Sequence, residues 1–201
     1  MGFYFLVSSI HTATYAATGR PLLDKFPRAL QALHSFFYTT VVSFPFLVTI
    51  VYWAILYDGP WFPVSFDAWR NVSQHLLNAF FALFEIVVPR TSPPPWIHAL
   101  YTVVVLALYL GLAYLREHIV GKPPYDFLDR GEDGPGGPGM VAAYCVGVLI
   151  ASIVMFCIAK ALVFFRVWVT ERKLHLHGKF AKMPSSRTRD VEMESTVKDG
   201  P

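Results

Sequence analysis

Asn71, Gln74, His75, Asn78 and Glu85 stand inside NVSQHLLNAFFALFE, a run otherwise built, apart from Ser73, from Leu, Ala, Phe and Val. An imidazole with an ordinary pKa of about 6.5 can take up or release a proton near neutrality. A carboxyl can do the same if its surroundings raise its pKa, and carboxamides can donate to a developing oxyanion. On an α-helix at 100° per residue, with His75 at zero, Asn71 falls at about −40°, Asn78 at about −60°, Glu85 at about −80° and Gln74 at about −100°. The polar side chains therefore share one arc of about 100°, and the rest of the circumference is apolar. His75 lies within roughly 1.5 turns of one end of the run and suits a general acid or base. Glu85 lies roughly 15 Å further along by helical rise, so the two cannot form a direct pair. An ionisable group at membrane depth costs several kcal/mol unless paired or hydrated, which favours a site. The competing role is interhelical hydrogen bonding, worth ~0.6 kcal/mol per contact.

The element that carries this face belongs to a very apolar chain. Of its 201 residues, 54% are hydrophobic and 15% charged, and the mean hydropathy is +0.43. This composition excludes an ordinary soluble domain and predicts an all-α, polytopic transmembrane helix bundle. Windows of roughly 20 apolar residues fall near 35–57, 71–88, 97–120 and 140–165, with a shorter fifth near 2–17. Residues 1–166 form the predicted membrane domain, and 167–201 a basic tail without fixed structure. Pro45 is expected to kink the span around it. His98, Tyr101 and Tyr109 recur on one face of the fourth predicted helix, a pattern read as packing.

With five spans, Arg20, Lys25, Arg28, Arg90 and the basic tail (Arg166, Arg172, Lys173, Lys179, Lys182, Arg187, Arg189, Lys198) fall on one side. That side is predicted to be cytoplasmic. Gly121–Gly139, which includes the Gly/Pro-rich DRGEDGPGGPG, is read as a luminal or extracellular flexible loop. Endoplasmic reticulum and plasma membrane both fit. Trp53, Trp61, Trp69, Trp96 and Trp168 cluster near predicted span ends, as an aromatic belt would. Cys145 and Cys157 lie in an apolar run without metal-ligand spacing. No GxSxG, HExxH or phosphate-binding glycine loop occurs. No metal or other cofactor and no nucleic acid is expected; membrane lipids are the expected surroundings.

Three stretches carry a resemblance to a known family. SFPFLVTIVYWAILYDGPWFP (43–63), NVSQHLLNAFFALFEIVVPRT (71–91) and YLREHIVGKPPYDFLD (114–129) resemble segments of the androgen-induced, androgen-dependent integral membrane hydrolases and their fungal and rolling-stone-like relatives. The resemblance implies an intramembrane hydrolase of fatty acid esters of hydroxy fatty acids, using a threonine nucleophile and a histidine. It places the histidine at His75, with Asn71, Gln74, Asn78 and Glu85 as its polar surroundings. The family threonine would precede Phe3-Tyr4-Phe5 and so fall before Met1. On this reading the chain lacks that residue and the helix segment carrying it, with about five helices where a full-length relative has six. Thr39 and Thr40 belong to the following helix and are read as packing residues. The alternative is a non-enzymatic multi-pass protein acting in adhesion, fusion or assembly, whose polar face holds helices together.

Overall fold

The computed structural model describes residues 1–130 and 137–176. Its ordered elements are helical throughout, with no strand among the described residues. α1 spans Gly2–Thr18 and ends where Gly19 adopts φ 72°, a left-handed conformation that suits glycine. α2 spans Arg28–Val51 and continues through a π-turn, Tyr52–Leu56. α3 (Ser65–Val72) runs through a second π-turn, Ser73–Leu77, into α4 (Asn78–Val87). α5 spans Ile97–Val120, and α6 spans Gly137–Val167 with a terminal π-turn, Trp168–Lys173.

Three of these helices, Arg28–Leu56, Ile97–Val120 and Gly137–Lys173, are long and apolar enough to cross a membrane. The predicted spans near 2–17 and 71–88 exist as helices, the second starting earlier, at Ser65. Two further boundaries move. α2 starts at Arg28 rather than near 35, directly after Pro27, whose carbonyl accepts the first helical N–H bonds from Leu30 and Gln31. α6 begins inside the predicted glycine-rich loop and carries helix through Lys173, so the start of the predicted tail is helical. Residues 131–136 and 177–201, the rest of the predicted loop and most of the tail, lie outside the described residues.

The chain divides into two compact units. In the first, Met1–Phe37 with the segment from Trp168, the rings of Tyr4, His11, Phe26, His34 and Phe37 pack together. Tyr4 is buried, its ring centroid 5.3 Å from that of Phe37, while His11 and His34 lie edge to face at 5.0 Å. The Gln31 amide donates to the carbonyls of Leu23 and Phe26, tying the short turn between α1 and α2 to α2.

In the second unit, Tyr38–Val167, α6 packs against both α4 and α5. Small residues line the buried faces, Ala79 and Ala82 on α4, Ser152 and Ala159 on α6. Close backbone approach through small side chains is how helices associate where water supplies no hydrophobic driving force. Val42, Phe156 and Val163 fill the centre, while the large apolar residues of α4, α5 and α6 that point outward are exposed. Two cations inside the apolar stretch of α6 hold the turn between α4 and α5. Arg166, 8% exposed, donates from Nε to Ile86 O at 3.2 Å and from Nη2 to Thr91 O. Lys160 donates to Pro94 O and lies over the Trp96 ring. Arg166, counted in the sequence as the first cation of the tail, is thus a buried structural group that donates to backbone carbonyls.

Candidate functional site

Two polar clusters lie on α2, separated by roughly 20 Å of helical rise. The first contains the expected histidine. His75 lies in the π-turn of Ser73–Leu77 and Tyr52 opens the π-turn of Tyr52–Leu56. Their rings stack with centroids 3.7 Å apart and planes 5° from parallel. The Tyr52 hydroxyl donates to Asn71 Oδ1 at 2.5 Å, and Asn71 Nδ2 donates to Asp67 O at 2.8 Å. Buried beside them without a hydrogen-bond partner are His75 Nδ1, Ser73 Oγ and Trp53 Nε1. π-turns frequently mark functional positions, because the widened turn re-aims side chains that an α-helix would direct elsewhere.

The five predicted site residues are not brought together. The π-turn inserts extra backbone between 73 and 77, so the single arc drawn for a regular helix does not continue through it. Asn71 and His75 are joined through Tyr52. Gln74 is exposed, and Asn78 returns its amide to Gln74 O at 3.0 Å within its own helix. Glu85 is buried, 2% exposed, in the neighbourhood of Arg166, since both act electrostatically on the Tyr38 hydroxyl.

The second cluster lies near the middle of α2. Thr39 Oγ1 is 2.6 Å from His98 Nδ1, with Thr39 fully buried and His98 4% exposed. With His98 protonated on Nε2, the threonine hydroxyl donates to Nδ1, the arrangement in which a base draws a proton from a nucleophile. His98 stands in the first turn of α5, two residues after the run SPPPW, and its N–H donates to Pro95 O. The prolines fix the backbone entering α5, and Lys160 holds that backbone through Pro94 O. Lys160 also acts electrostatically on His98. One turn along the same face of α2 from Thr39, Ser43 is 2% exposed and its Oγ has no hydrogen-bond partner.

Sequence reasoning passed over this cluster because Thr39 and His98 are far apart in the chain and each fits a packing pattern. The signals were the proline run that anchors His98 and the lone lysine, Lys160, within an apolar stretch. Among the described residues no group of three or more His, Cys, Asp or Glu side chains could hold a metal ion.

An all-helical chain with three helices fit to cross a membrane and buried threonine-histidine contact is therefore the class that fold and site define. No protein-family model, curated protein or solved structure matches the chain.

Proposed function

We propose that the protein is an intramembrane lipid-ester hydrolase of the threonine-histidine type, acting on fatty acid esters of hydroxy fatty acids. The observation that carries the reading is the 2.6 Å contact between Thr39 Oγ1 and His98 Nδ1 in a buried site. His98 would accept the hydroxyl proton as Thr39 attacks the ester carbonyl and return it to the leaving alkoxide, and would then take a proton from the water that attacks the acyl-threonine, releasing the fatty acid and restoring the Thr39 hydroxyl. The unpartnered Ser43 hydroxyl would donate to the oxyanion. This assignment replaces the nucleophile expected upstream of Met1 with Thr39. It also moves the base from His75, which stacks on Tyr52 roughly 20 Å along the helix from Thr39, to His98. A lipid ester diffusing in the bilayer would reach such a site laterally. The chain would cross the membrane five times with its basic tail in the cytoplasm, in the endoplasmic reticulum or plasma membrane.

A second reading is favoured by the complete burial of Thr39. The pair would then be a packing contact between α2 and α5 in a non-enzymatic multi-pass protein. Hydrolysis of a branched fatty acid ester of a hydroxy fatty acid by the detergent-purified chain separates the two. Thr39→Ala and His98→Ala are each expected to lower the rate by about 10²–10⁴-fold, while Thr39→Ser retains a hydroxyl and much of the rate. A wild-type protein without activity, or variants as active as wild type, would establish the packing role.

A further inference from the structure

A second site lies between α5 and α6, away from the threonine-histidine pair. A cavity of about 280 Å³ is lined by Leu106, Leu110, Phe127, Cys145, Val148 and Leu149, among others. Its wall is closed by the segment after α5, where Leu128 is buried against Ala113 and Val141, with Tyr125 and Phe127 packed on them. Two lining residues, Tyr109 and Val146, are about half exposed, 49% and 53%. The cavity therefore opens on the apolar flank that α5 and α6 present outward.

The lining is almost wholly apolar, and one polar feature stands at its edge. The hydroxyls of Tyr109 and Tyr125 meet at 2.6 Å. One O–H is consumed within the pair, which leaves a second O–H to donate and lone pairs to accept. An apolar cavity with a few placed polar groups is the usual form of a site for a small amphiphile. Size limits the class further. A dry cavity of about 150 Å³ holds benzene, so this one has room for roughly a dozen carbons by the same ratio. That is the size of one alkyl chain.

We propose that the α5–α6 cavity binds a single-chain fatty acid, its alkyl chain among Leu106, Leu110, Val148 and Leu149 and its carboxyl on the Tyr109–Tyr125 hydroxyl pair. The ligand enters sideways from the hydrocarbon phase. The site is independent of any hydrolysis at Thr39.

The test uses a dodecanoic acid with a terminal diazirine, photolysed with the full chain in lipid nanodiscs, and peptide mapping of the adducts. The expected result is saturable labelling of the α5 and α6 stretches lining the cavity, competed by unlabelled dodecanoic acid. Tyr125→Phe, which keeps the ring and removes the hydroxyl, should raise the competing concentration roughly fivefold, the worth of one hydrogen bond. Val148→Trp should abolish the labelling by filling the space. Adducts spread over the exposed apolar faces without competition would overturn the proposal, as would saturable labelling that neither variant alters in correctly folded protein. Since no ester is hydrolysed in this experiment, its outcome stands apart from the reading of Thr39 and His98.

Discussion

The imidazole of His75 lies flat on the phenol ring of Tyr52, 3.7 Å between centroids, with each residue contributed by a π-turn. Tyr52 in turn donates to Asn71 on the same strand of helix as His75. The stack thereby cross-links the two π-turns, and the hydrogen bond ties the first of them to Asn71 in α3.

Breaking that cross-link separates its parts. Tyr52→Phe removes the hydrogen bond and keeps the stack, and should cost ~1 kcal/mol of stability. Tyr52→Ala removes both and should cost ~2 kcal/mol or more. Thermal unfolding in detergent, followed by circular dichroism, reads the order. Equal effects of the two variants would show that the stack contributes nothing.

His75→Ala and His98→Ala should differ in kind. If Thr39 and His98 react together, His98→Ala removes ester hydrolysis with little loss of fold, whereas His75→Ala lowers the melting temperature and keeps the rate per folded molecule within a few fold. A complete loss of hydrolysis in folded His75→Ala would return the base to the position that the family resemblance implies.

How far these relations were legible differs by element. The apolar windows coincide with the three helices long and apolar enough to cross a membrane, because such a crossing requires roughly 20 apolar residues whatever the tertiary arrangement. The polar face around His75 was visible, but the arc drawn from it to Glu85 does not continue through the π-turn. Nothing in VSQHLL, which lacks glycine and proline, signals the π-turn that breaks the 100° spacing. The contact of Thr39 with His98 depends on the packing of α2 against α5. One sequence holds no register for that packing, so a hydroxyl within VVSFPF-adjacent apolar residues looks like any other small packing residue.

Arg166 tests the role of buried cations. It satisfies carbonyls of Ile86 and Thr91 in a neighbourhood that also contains buried Glu85. Arg166→Met leaves those acceptors and a carboxyl without their cation, and should destabilise by ~3 kcal/mol. Arg166→Met combined with Glu85→Leu should recover part of that loss, because the buried carboxyl left in the same neighbourhood without the cation is removed as well. Chemical denaturation of the single and double variants in mixed micelles measures the difference. Additive losses would place the two residues in separate environments.

Tyr125 supplies a pH dependence with a fixed sign. Burial, then the hydrogen bond with Tyr109, pushes its hydroxyl up to about 12 from the usual 10.0. Between these values the unfolded chain has lost the proton that the folded chain still holds. The folded state therefore binds more protons, and stability falls as pH rises from about 10 to about 12. Below pH 10 both states keep the proton and the residue adds no slope. Tyr125→Phe has no proton to lose, so its melting temperature should decline less steeply than that of wild type across this window alone. Parallel declines of the two proteins from pH 10 to 12 would mean that the Tyr109–Tyr125 contact is open to water, and the head-group end of the proposed fatty acid site with it.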